Sequence, residues 1–252
     1  MNARTANDDG TRPVIAFFDV DNTLMRGASI YHVGGGAYRR GYVGVRDLVR
    51  FAWQQARFIR VGENLHHLER LRERALGLAA GVREAEVLEL AEEIFDRQIE
   101  RRLWPESVGL AREHLAKGHQ VWLVTATPSI VADVIARRHG LTGAIGTRLE
   151  VREGCFTGRL VGGFLHGEQK ARAARELAER TGSPLEDCWA YSDSRNDIPL
   201  LELAGNRVVV NPDTELMRHA TGKGWSVMRL NKSSIRAARK RVRREAKQGT
   251  NA

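Results

Sequence analysis

The chain has 252 residues, room for one or two domains, and its two cysteines provide no disulfide framework, so a reducing cytoplasm is its simplest setting. No run approaches the roughly eighteen apolar residues of a membrane span, and residues 1–13 are polar, without the apolar core of a signal peptide. The net charge of +9 suggests a nucleic-acid protein only until it is located: residues 231–252 hold eight Lys or Arg and one Glu, a net of +7 that leaves +2 for everything before them.

Residues 1–13 read as a disordered arm. Val14 to Phe18 form an unbroken apolar run, which fits a strand buried on both faces in a parallel sheet covered by helices. The run stops at Asp19 and Asp21, and open α/β sheets place their chemistry just beyond strand carboxyl ends. On extended backbone, residues i and i+2 share a face, so both carboxylates face one pocket. Their repulsion is relieved by a divalent cation, a shared proton or strong hydrogen bonds, and hard oxygen ligands favour magnesium. A turn or helix cap at Asp21 and Asn22 is the plainer alternative, and this segment alone leaves the two even.

About a hundred residues separate this segment from the next strand-end motif, far more than a βα loop needs. Helical spacing recurs in three groups: Val45, Leu48, Ala52, Ala56 and Ile59; Leu68, Leu71, Ala75 and Leu78; and Val87, Leu90, Ala91, Ile94 and Phe95. Pro105, after Trp104, ends the last of these helices. Residues 28–105 therefore read as a small helical bundle over the site. Gly34 to Gly36 lack a preceding strand and a Walker lysine, which makes them a hinge or flexible segment rather than a nucleotide loop. His66 and His67 are adjacent instead of four apart, which argues against zinc.

The next apolar run, from Gln120, ends in hydroxyls at Thr125 and Thr127, with Pro128 signalling a helix start. There the Thr125 hydroxyl and nearby amide groups can bind a phosphate oxygen. Glu153-Gly154-Cys155 reads as the turn of a hairpin. Lys170 sits at the start of an Ala- and Arg-rich helix, an unfavourable end for a cation unless anions lie nearby. The run through Cys188 and Tyr191 ends at Asp193, with Asp197 four residues on, so the two can reach one cation directly or through water.

Asp-Val-Asp-Asn-Thr at 19–23, Thr125, Lys170 and Ser-Asp-Ser-Arg-Asn-Asp at 192–197, in that order, resemble the four motifs of the haloacid dehalogenase superfamily. The helical insertion between the first and second motifs is similar to that of the phosphoserine-phosphatase-type branch, and the resemblance covers roughly residues 14–228. It implies an α/β fold with a Rossmann-like parallel core, residues 14–27 and 106–228, carrying an inserted helical cap, residues 28–105, followed by a basic tail, residues 229–252. It also implies a magnesium-dependent phosphomonoesterase for a small phosphorylated metabolite. Asp19 would be the nucleophile that becomes an aspartyl phosphate, and Asp21 the general acid and base, a role that needs a pKa above that of Asp19. Asp19, Asp193 and the Asp21 carbonyl would ligate Mg2+, with Asp197 in support. Thr125, Ala126, Lys170 and Asn196 would contact substrate.

Two positions depart from the family pattern. Ser192 stands where many relatives have glycine, and Ala28 stands where phosphoserine-specific enzymes carry a glutamate for the substrate's amino group. An alanine cannot pair with an ammonium ion, which leaves the substrate open. In the tail, Ile235, Ala238, Val242 and Ala246 form a thin apolar stripe, compatible with a basic helix on an anionic surface, although a solvated, frayed extension is favoured. A catalytically silent binding module, a tail-driven membrane or nucleic-acid protein, and phosphoryl transfer to an acceptor other than water are the alternatives.

Overall fold

The structure is a computed structural model that describes residues 12–46, 49, 77, 79–238 and 240. The expected helices through Leu48 to Ile59 and Leu68 to Leu78, the His66–His67 pair and residues 1–11 of the arm lie outside the described residues. Seven strands form one sheet in the order β4-β3-β2-β1-β5-β6-β7. They are β1 (Ile15–Phe18), β2 (Gln120–Pro128), β3 (Gly143–Arg152), β4 (Cys155–Val161), β5 (Trp189–Ser192), β6 (Asn206–Val210) and β7 (Ser226–Met228). Every neighbouring pair is parallel except β3 with β4. That pair is the expected hairpin, turned by Glu153 and Gly154, both at positive φ, as a two-residue turn demands.

The apolar run of β1 is buried throughout because both sheet faces are covered. Its alternation divides the core: Ala16 and Phe18 join one apolar cluster, Ile15 and Phe17 the other. Helices α2 (Glu84–Ile94), α3 (Pro105–Ala116) and α4 (Ser129–Arg138) supply the first cluster. Helices α5 (Glu168–Thr181), α6 (Ile198–Leu203) and α7 (Thr214–Gly222) supply the second. The result is the expected three-layer α/β architecture. Strand order runs outward from β1 in both directions, so the carboxyl end of β1 lies at the topological switch point, where open sheets bind ligands.

The inserted segment begins with α1 (Ser29–Arg39) and returns through α2, which continues as a π turn (Phe95–Ile99) and a 3-10 turn (Glu100–Arg102). Leu90, Ala91 and Ile94 face inward, as their spacing predicts. Gly34 to Gly36 are not a hinge: all three lie within α1. A Cβ on Gly36 would stand 2.8 Å from Ile94 Cδ1 and 2.9 Å from Leu90 Cδ1, so its missing side chain is what lets α1 approach α2. The two crossings between core and insertion run side by side, with Met25 bridged to Leu103, Arg26 N donating to Arg102 O at 2.8 Å and Trp104 N to Leu24 O at 2.9 Å. Pro105 is the first residue of α3, where its missing N–H costs nothing. Residues 232–238 of the tail are helical and Ile235 is only 8% exposed, so this part is docked rather than a frayed extension.

Beside β1 and β5 an aromatic layer carries buried polar groups. Phe18 stacks on Tyr191 with centroids 4.1 Å apart. The Tyr191 hydroxyl meets His114 Nε2 at 2.8 Å, and His114 Nδ1 meets His119 Nδ1 at 2.9 Å. Burial, with the neighbouring His119 and Lys117, depresses His114 from 6.5 to about 4. Folding thus favours the neutral imidazole, and below pH 6.5 the unfolded chain takes a proton that the folded chain refuses. Stability carried by this site is complete above pH 6.5, declines down to pH 4 and levels off below. The loss amounts to roughly 3 kcal/mol. In urea unfolding between pH 7.5 and pH 4.5, His114→Gln, which keeps a partner for Tyr191, should show a shallower fall in stability than the native chain; parallel curves would refute this assignment.

Candidate active site

Asp19 follows β1 directly and is 5% exposed, its amide anchored to Tyr191 O at 3.0 Å. Lys170, on the first turn of α5, reaches back to it. Its Nζ donates to Asp19 Oδ1 at 2.6 Å and to Asp197 Oδ2 at 2.7 Å. Lys170 and Asp197 are 4% and 2% exposed, so this is a buried ion triad rather than a surface pair. Helix α5 starts there because Gly167, at φ 54° and ψ −124°, takes a backbone conformation that side chains disfavour. The remaining hydrogen bonds come from hydroxyls. Ser192 Oγ donates to Asp197 Oδ2 at 2.7 Å, and Thr23 Oγ1 to Asp193 Oδ1 at 3.3 Å. The serine that departs from the family pattern is thus fully buried at the end of β5 and orients an acid of the cluster.

The cluster is electrostatically incomplete. Burial raises Asp193 to about 8, and repulsion from Asp19 and Asp197 adds to it. Burial likewise raises Asp19 to about 7 against the pull of Lys170, with Asp197 and Asp21 pushing the same way. For Lys170, burial opposes the charge, but the two carboxylates outweigh it and hold the ammonium protonated well above its ordinary range. One cation facing the buried Asp19 and Asp197 and the half-buried Asp193 leaves an excess of acidic groups that a divalent cation would offset. Among the described residues, no three acidic, imidazole or thiol groups close around a common point at ligand distance. A site built from two carboxylates, a carbonyl and water fits that arrangement and suits magnesium, which keeps several of its waters. Asp19, Asp193 and the Asp21 carbonyl could hold it, while Asp197 is engaged by Lys170 and Ser192.

Asp21 belongs to the same site but has different company. Its Oδ1 accepts from Ser29 N, the first residue of α1, at 2.8 Å. Burial raises its pKa, opposed chiefly by the Ser29 hydrogen bonds and also by Lys170 and His32. The cap and turn reading of this segment is seen directly: Asp21 accepts from the first amide of α1, and Asn22, at φ 59°, closes a turn with its Oδ1 accepting from Gly27 N at 3.0 Å. Ser29 Oγ lies 2.7 Å from Thr127 Oγ1, to which Thr125 Oγ1 donates at 3.0 Å. A chain of buried hydroxyls therefore links the end of β2 to Asp21. Ala126, within an irregular stretch of the β2–β3 pairing, has its carbonyl held by Thr147 Oγ1 at 2.8 Å. Asn196 is exposed, and its side-chain amide turns to Ser194 Oγ at 3.3 Å, so the structure places it outside the buried cluster.

Sequence reading missed Ser29, Thr127 and the positive use of Ser192. Thr127 carried a signal, two residues after Thr125 on one face of β2; Ser29 carried none.

The profile of the haloacid dehalogenase-like hydrolase family matches residues 16–202. Phosphoserine phosphatase SerB1 of Mycobacterium tuberculosis is 47% identical over 229 residues, covering 90% of this chain and 73% of its own length. A histidinol-phosphatase of Neisseria meningitidis is 31% identical over 220 residues, 85% of this chain and 97% of its own. A Bordetella pertussis protein of unknown function has a solved structure that superposes with a TM-score of 0.76 at 33% identity, covering 86% of this chain and 99% of that one. With the four motif segments gathered at the switch point of a parallel sheet, the chain belongs to the haloacid dehalogenase-like hydrolase family, in its phosphoserine-phosphatase-like branch.

Proposed function

We propose that this chain hydrolyses the phosphomonoester of a small metabolite, using Mg2+ and a covalent aspartyl phosphate on Asp19. The observation that carries this reading is the buried contact of Asp19 with Lys170 at the end of the central strand, with Asp193 and Asp197 beside it. Asp19 attacks phosphorus in line, forming an O–P bond as the ester P–O bond breaks, and Asp21 protonates the departing alkoxide. Water then attacks phosphorus and gives its proton to Asp21, releasing phosphate and restoring Asp19. Burial that favours the protonated form of Asp21 suits it to the acid role in the first step. Lys170, the Thr125 hydroxyl and the Ala126 backbone hold non-bridging oxygens, and Asn196 contacts substrate from the margin of the site. When bound, the magnesium ion neutralises the carboxylates and the phosphoryl oxygens they face.

Residues 28–105 act as the cap and residues 14–27 with 106–228 as the catalytic core, in a cytoplasmic protein. The wall next to Asp21 carries Ala28, Ser29 and, one turn on, His32 hydrogen-bonded to Gln98 at 2.8 Å. Among the described residues this wall offers an ammonium group no carboxylate, which argues against a substrate that carries the charged amine of phosphoserine there.

Three outcomes test the reading. Asp19→Asn should keep its fold by circular dichroism and lose turnover of p-nitrophenyl phosphate by a factor on the order of 10³ or more; substantial residual activity would remove Asp19 as nucleophile. Lys170→Met leaves buried carboxylates uncompensated, so in EDTA it should lose about 3 to 5 kcal/mol of stability, and added Mg2+ should restore part of that. A thermal midpoint indifferent to Mg2+ in both forms would argue against the metal site. Ala28→Glu should raise kcat/KM for phosphoserine about tenfold relative to p-nitrophenyl phosphate, the scale of one charge-assisted hydrogen bond; no gain would place substrate selection elsewhere.

A further inference from the structure

A cavity of about 280 Å³ lies where the crossings of the inserted segment meet the C-terminal helix, lined by Arg26, Arg101, Arg102, Lys232, Ile235 and Arg236. Five of its six lining residues are cations, none is acidic, and none belongs to the carboxylate cluster. They come from three separate parts of the chain, so the convergence is a product of folding and not of a local charge run. Among the described residues, Arg26, Arg102, Lys232 and Arg236 form no ion pair, whereas Arg40, Arg83, Arg137, Arg138 and Arg195 all pair with glutamates.

We infer that this cavity is a second anion site, suited to a compact ligand bearing two or more phosphate charges. Guanidinium forks match phosphate oxygens in pairs, and the cavity lies just below the roughly 300 Å³ at which small-molecule sites begin, which suits a compact ligand. The cations are also positioned. Ile235 is buried in the wall and anchors the helix that carries Lys232, one turn before it, and the adjacent Arg236, while Arg26 and Arg102 are tied by their own backbone hydrogen bond. A bound polyanion would pin the C-terminal helix across both crossings of the insertion, through charges that otherwise repel. The phosphate groups can belong to a soluble ligand or to the head group of an anionic lipid, because both present the same oxygens.

The test uses the full chain in EDTA, where the catalytic carboxylates repel anions. Pyrophosphate binding is measured by calorimetry, and sedimentation is measured with phosphatidylcholine vesicles with and without phosphatidic acid. Arg26→Gln/Arg102→Gln and Lys232→Gln/Arg236→Gln, both checked for fold by circular dichroism, should each weaken binding about tenfold or more, with single substitutions in reserve should a pair misfold. Pyrophosphate binding without vesicle binding assigns a soluble ligand, and vesicle binding displaced by pyrophosphate assigns a head group; either supports the site. Unchanged affinity in the Arg26/Arg102 pair would overturn it, since the tail charges alone would then hold the anion. Absence of binding to both probes, or preference for a single-stranded oligonucleotide over both, would overturn it as well.

Discussion

The contact on which the site depends is the ammonium of Lys170 held between Asp19 and Asp197 away from water. Desolvating such a triad is expensive, and its members repay the cost only while they stay together. That condition reaches far into the fold. Asp19 needs β1 at the centre of the sheet, Asp197 needs the turn after β5, and Lys170 needs α5 to begin beneath that turn, which Gly167 allows. Beside the triad, burial and the neighbouring carboxylates push Asp193 up to about 8, a crowding of acids that a divalent cation beside Asp19 would relieve.

Around this charge centre the chain uses hydroxyls where further charges would unbalance it. Ser192 and Thr23 donate to the acids of the fourth motif, and Ser29, Thr127 and Thr125 form a buried relay that ends at Asp21. The start of α1 has two duties. Its first amide steadies Asp21, and Ala28 beside it leaves the substrate wall without a carboxylate. In the proposed reading, catalytic positioning and substrate selection thus meet at one helix terminus.

The aromatic layer of Phe18, Tyr191 and His114 stabilises the residues immediately before Asp19 and Ser192, at the price of a neutral buried histidine. On the far side of the crossings the C-terminal helix contributes Ile235 and two cations. The insertion is thus held at its base by backbone pairing between Met25 and Leu103 and flanked by a basic cavity.

Much of this was legible in one dimension. An apolar run ending in Asp19 and Asp21 marks a buried strand with its chemistry at the carboxyl end, because strand burial and side-chain alternation are local properties. The hairpin at Glu153-Gly154 and the inward face of α2 are legible for the same reason. Gly34 to Gly36 were misread because a glycine needed for close helix packing is indistinguishable in sequence from one needed for flexibility; only Leu90 and Ile94, more than fifty residues away, reveal the difference. Lys170 by itself resembles any helix-surface lysine, and its burial exists only because β1 and the 195–197 turn close over it. Ser29 and the basic cavity left no local pattern at all, since both are defined by partners remote in the chain. Sequence alone determined which groups can do chemistry and the strands that carry them. The tertiary structure decided which charges share a desolvated space, because desolvation and Coulomb energies depend on distances that residue order does not contain.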